Sequence, residues 1–138
     1  MNITRKQWIE ALKSGKYKQT TQVLGNTVGH CCLGVACEIA GFEKMLDDDA
    51  YLYMIPDGDG WPREQRTVLT YNMSRKLRLN DEYFVIPYDL LIRLDAVSPH
   101  GWSLESLLMT LNDRGYTFEQ IADLLIFDSW LRGIEQDG

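Results

Sequence analysis

Long apolar runs, cysteine, histidine and positive charge are all scarce in this chain, and each scarcity removes a class of protein. No apolar run approaches the roughly 18 residues that a membrane-spanning helix needs, and the opening MNITRKQWIE lacks the apolar stretch of a secretion signal. A cytoplasmic protein is the expectation. The three cysteines are then expected to be reduced thiols and not a disulfide framework. Two histidines, with no His-x₃₋₅-His pair and no second cysteine pair, are too few for a structural zinc site. The stretch DGDGW at 57–61 begins like a calcium loop. It has Trp61 at the fifth position, however, and Val68 at the twelfth, where the bidentate glutamate should stand. Neither a metal nor a cofactor is expected. Fourteen Lys and Arg against twenty Asp and Glu leave a net charge of −6, which repels nucleic acid on average.

What is present is the composition of an ordinary soluble domain. Hydrophobic residues make up 45% and charged residues 25% of 138 positions, and at that length about 68% of the unfolded chain's surface can be buried. One domain spanning 1–138 is expected. The charge is unevenly spread: Arg5, Lys6, Lys13, Lys16 and Lys18 face only Glu10 within residues 1–18, a net +4 that leaves −10 for the remainder. A basic N-terminal edge on an acidic body is the main electrostatic feature.

The hydrophobic spacing predicts a mainly helical α+β fold with a few short strands or a hairpin. Thr4 caps a helix over 5–14, with Trp8, Ile9, Ala11 and Leu12 at helical spacing and a stop at Gly15. Residues 17–28, rich in β-formers around Gly25-Asn26, read as a hairpin. From Cys31 to Ala40 only Glu38 is strongly polar, so this helix should be the buried, central one. Residues 42–64 read as an acidic, loop-rich insertion with one strand, YLYMI, closed by Pro56. Next come a strand turning into a helix over 67–80, with Leu77 and Leu79 inward, a short strand EYFVIP, and a helix YDLLIRLDAV ended by Pro99. Ser103 then caps a helix with Leu104, Leu107, Leu108 and Leu111 on one stripe. The last helix follows Gly115 and opens with a capping box, Thr117 and Gln120, before the apolar Phe118, Ile121, Ala122, Leu124 and Leu125.

Four chemistries compete for these residues. HCCLGVACEIAG gathers three thiols and a histidine, and Cys31 and Cys32 sit at a helix start, where the dipole favours a thiolate. An enzyme of this kind would be a cysteine-dependent hydrolase or transferase using Cys31 or Cys32 with His100 as base. The competing reading is core packing, since cysteine is among the most buried residue types. GYTFEQIADLL resembles the first helix of a helix-turn-helix, yet IFDSWLRGIEQDG has one arginine against three acids, the wrong balance for a recognition helix. The basic edge offers Trp8, Lys13, Lys16, Tyr17, Lys18 and Gln19, with Asn112 a further candidate, as a grip for a small anionic, nucleotide-like ligand. Acidic stretches at 43–64 and 123–137 offer instead a surface for a basic protein.

Three segments in order, KQWIEALKSGKYKQ, HCCLGVACEIAG and LNDRGYTFEQIADLL, resemble a group of small proteins of tailed bacteriophages and prophages. That group has an opening W..AL.SG.Y.Q, a central CCLGV.C and a closing LND.G. followed by Ser or Thr and F..IA..I. The resemblance implies a viral origin and a host-cytoplasm setting. It also implies that Trp8, Tyr17, Gln19, Cys31, Cys32, Cys37, Asn112, Asp113 and Gly115 form a shared scaffold or site, whereas the residue before the cysteine pair varies, which weighs against His30 as a shared base. The resulting expectation is a phage-encoded, non-enzymatic binding protein. It would act in counter-defence by capturing a nucleotide-like ligand, at a homo-oligomer interface, or by inhibiting a host protein.

Overall fold

The computed structural model describes residues 3–80 and 103–134. The strand EYFVIP, the helix YDLLIRLDAV and His100 lie outside them.

Helix α1 (Arg5–Lys13) starts where Thr4 Oγ1 accepts from the Gln7 amide and Gln7 Oε1 accepts from the Thr4 amide, a complete capping box. Its inward face, Arg5, Trp8, Ile9 and Leu12, packs on the central helix α2 (Cys32–Ala40) and the final helix. Every residue of α2 from Cys32 to Cys37 is buried. Gly34 is there because the chain passes against it: a Cβ at this position would lie 1.7 Å from the Leu24 carbonyl oxygen. Gly41, with φ of 73°, ends the helix in the left-handed conformation and donates back to Cys37 and Glu38.

Beyond α2 the sequence reading needs correction. Residues 42–64 form a three-stranded antiparallel sheet, β1 (Lys44–Asp47), β2 (Ala50–Pro56) and β3 (Pro62–Gln65) in the order β1-β2-β3, and not a loop with one strand. The β1–β2 reversal runs through Asp48 and Asp49, with Asp48 at φ of 53°, a conformation aspartate tolerates better than most residues. The expected hairpin over 17–28 is reduced to two isolated bridges, from Gln19 and Gly25 to His30. Gln22 turns to φ of 71° between them, and the Leu24 amide donates to Arg66 instead. The strand expected from residue 67 does not form ahead of α3 (Tyr71–Lys76), which Thr70 caps, although Leu77 and Leu79 are buried as expected.

Helix α4 (Leu104–Asp113) is capped by Ser103 and buries all four leucines of its stripe. Helix α5 (Phe118–Arg132) opens with the expected Thr117–Gln120 capping box and crosses α1. Their contact holds a buried ionic knot. Arg5 donates to Asp128 Oδ2 at 2.9 Å and to Ser129 Oγ at 2.8 Å, while Arg132 reaches the same carboxylate at 2.9 Å. The fold is a small α+β domain, helical for the most part, with the sheet to one side of α2. No described helix is long and apolar enough to cross a membrane.

Candidate functional site

The three sequence patterns meet at one polar junction. Asn112 at the end of α4 is fully buried. Its Oδ1 accepts from the Cys32 amide at 3.1 Å and from Gln19 Nε2 at 2.8 Å, and its Nδ2 donates to the Thr20 carbonyl at 2.7 Å. Gln19 Nε2 donates also to the Tyr116 carbonyl, and its Oε1 accepts from the Phe118 amide. Asn112 therefore caps the start of α2, which its own N-cap residue Cys31 does not do through a side chain. Asp113 accepts from the Gln22 amide and holds the left-handed turn there. Trp8 closes the junction from below, its indole N–H donating to the Cys32 carbonyl at 2.8 Å. Trp8, Gln19, Cys32 and Asn112, which sequence offered as scaffold or site, are joined as scaffold, with the Phe118 amide added to them.

This placement corrects the proposed ligand grip. Trp8 is fully buried and has no face left on which a base can stack. Gln19 and Asn112 have spent their donors and acceptors on each other and on backbone. Lys13 is exposed but tied to Asp123 at 2.7 Å, and this hydrogen bond raises its pKa. Tyr17 stands edge-on to the His30 ring at 5.8 Å. Lys16 and Lys18, like Lys6, are exposed on that edge and make no ion pair among the described residues.

The cysteines belong to the core. All three are free and buried, and burial pushes the Cys31 thiol up to about 11 against the opposing pull of the Gly34 and Leu33 amides at the α2 start. Burial raises Cys32 and Cys37 well above the ordinary thiol range too. At pH 7 the Cys31 thiol is then held in its protonated form, whereas a nucleophile needs the thiolate. A hollow lined by Gln22, Val23, Thr67, Met109 and Asp113 reaches Cys31. At about 230 Å³, open mouth included, it falls below the ~300–1,000 Å³ of a ligand pocket. Among the described residues no three His, Cys, Asp or Glu side chains converge on a metal-sized point.

A second polar cluster, missed from sequence, joins the sheet to α2. Glu38 Oε2 accepts from Lys44 Nζ and from the Tyr53 hydroxyl, each at 2.6 Å, and lies 3.4 Å from His30 Nε2. Burial works to raise the Glu38 pKa, but the hydrogen bonds from Lys44 and Tyr53 outweigh it and leave the carboxyl below its usual range. Burial lowers the His30 pKa, so the ring is neutral at pH 7. His30 stacks on Tyr51, and Lys44 lies over the Tyr51 ring, 4.6 Å from its centroid. Lys44 is thereby held against Glu38 and the Tyr51 ring.

The sheet segment carries three of the exposed large apolar side chains, and Phe127, Trp130 and Leu131 on α5 are exposed as well. Met45 is 57%, Leu46 52% and Trp61 71% exposed. Residues 43–64 carry seven acids against two bases. Arg66 pairs with Asp47 and Arg63 with Asp59, whereas Glu43, Asp48 and Asp49 make no ion pair among the described residues. Sequence marked this segment as acidic but not its exposed apolar side chains, because Met45 and Leu46 become a surface feature only once β1 forms.

A family model described as a domain of unknown function (DUF8296) matches residues 1–128. The chain belongs to that family. No curated protein and no solved structure matches it.

Proposed function

We propose that this DUF8296 protein is a non-enzymatic binding protein that engages a basic partner protein through the acidic sheet β1–β3 and its exposed apolar side chains. The observation that carries this reading is the exposure of Met45, Leu46 and Trp61 within a segment of strong net negative charge. Exposed apolar side chains within an acidic segment supply two ingredients of a protein interface: apolar area whose desolvation gives affinity, and a potential that steers a partner of opposite sign. The resemblance to tailed-phage proteins supports a host-cell cytoplasmic setting, in which the bound partner is a host protein whose action is inhibited. A small anionic ligand is the second reading, favoured by the exposed Lys16 and Lys18 on either side of Tyr17.

Capture from a bacterial lysate separates the two. The full chain should retain a basic protein that a variant carrying Asp48→Asn, Asp49→Asn and Trp61→Ala, of unchanged melting temperature, loses. A capture pattern identical for both chains overturns the sheet reading. A nucleotide-induced rise in melting temperature that Lys16→Glu with Lys18→Glu abolishes would install the second reading in its place.

A further inference from the structure

We infer that β1 is an open docking edge that takes an extended, basic segment of the partner as a fourth strand, an inference that rests on the sheet being the binding surface. The Met54 amide donates to the Glu43 carbonyl, and residues 43 and 54 stand opposite each other in the β1–β2 register. In an antiparallel ladder the alternate residues share this direction, so Met45 and Asp47 bond to β2 while Lys44 and Leu46 aim their N–H and C=O groups outward. Among the described residues nothing pairs with that side, since the strand order is β1-β2-β3.

Edges of this kind are usually blunted by proline, by a protruding lysine or by a covering element. β3, the other edge, begins with Pro62 and carries Arg63 and Glu64. β1 has no proline, its single lysine is drawn onto Glu38, and Met45 and Leu46 are left exposed on opposite faces. An added strand would place alternate side chains beside each of them, which is how strand addition reads a sequence.

Charge selects the occupant. Glu43 precedes the edge, and Asp48 and Asp49 follow it, all without ion pairs among the described residues. A second copy pairing antiparallel along β1 would bring like charge on like charge at both ends, so self-association is disfavoured. A strand carrying lysine or arginine at alternate positions, with apolar residues between, can set its charges on the face of Glu43 and Asp47 and its apolar side chains on the face of Leu46.

The test uses the full chain labelled with ¹⁵N and two capped peptides of equal charge, KVKVKVK and KPKPKPK, the second unable to form a ladder. KVKVKVK should bind at least tenfold more tightly, slow hydrogen exchange at the Lys44 and Leu46 amides at least tenfold, and lose this advantage on Leu46→Pro, which removes an outward amide but no β1–β2 bond. Asp48→Asn with Asp49→Asn should weaken both peptides. Equal binding of the two peptides, or unchanged exchange at Lys44 and Leu46, overturns strand addition while leaving charge-driven docking on the sheet standing. Failure of both peptides to bind overturns it as well, and the lysate capture then judges the sheet reading separately.

Discussion

Asn112 has three hydrogen-bonding partners and no solvent to replace any of them. Truncation to alanine would leave the Cys32 amide, the Thr20 carbonyl and Gln19 Nε2 each short of a bond in the interior. Loss of about 3 kcal/mol is expected, since each buried group left unsatisfied costs on the order of 1–3 kcal/mol. Urea denaturation of Asn112→Ala checks this, and a loss below about 1 kcal/mol would mean that the junction is not the structural node described here. Part of this was legible in the sequence. The sequence patterns mark Trp8, Gln19 and Asn112, but a tryptophan beside lysines reads equally well as a stacking platform and as a core residue. Only the Trp8 to Cys32 hydrogen bond, across 24 positions, separates the two. His30 was similarly ambiguous, because its neighbours Glu38, Tyr51 and Tyr53 come from later segments.

At the scale of elements, helices announced themselves and the sheet did not. Thr4 with Gln7 and Thr117 with Gln120 are local signals, completed within three residues, and both capping boxes form. The strands β1 and β3, KMLD and PREQ, are short and polar, and Asp48-Asp49 lacks the Asn-Gly signature of a tight reversal. Their pairing is a long-range outcome of β2 packing Tyr53 and Ile55 inward. The sheet is fastened to α2 through Glu38, with Lys44, Tyr53 and His30 around it. This joint makes stability depend on pH. Burial holds the folded His30 pKa below 6.5, so below about pH 6.5 the unfolded chain binds more protons and stability falls as pH falls. Glu38 has a lowered folded pKa, and its contribution is present above about pH 4.5 and is lost as pH drops further. Melting temperatures recorded from pH 7 to 4 should therefore decline in two stages. His30→Asn should remove the first decline and keep the second; an unchanged profile would contradict the account of the joint.

Over the whole molecule, the division of labour runs between an interior that consumes the most conspicuous residues and a surface patch that the composition only hinted at. The cysteine cluster looked like a reactive centre because its residues are rare. In the fold it belongs to a buried helix, from the N-cap Cys31 to Cys37, with Gly34 admitting Leu24 and Asn112 capping the start. Uncommitted acid with exposed Met45, Leu46 and Trp61 lies instead on the sheet segment, and a further exposed apolar group, Phe127, Trp130 and Leu131, lies on α5. The most direct test of this division is thiol alkylation of the intact protein with iodoacetamide at pH 7, read by intact mass, with and without denaturant. Three thiols inert in the native protein and all three modified after unfolding is the result expected of a packed core. A single thiol alkylated rapidly under native conditions would contradict it and return Cys31 to the role of nucleophile.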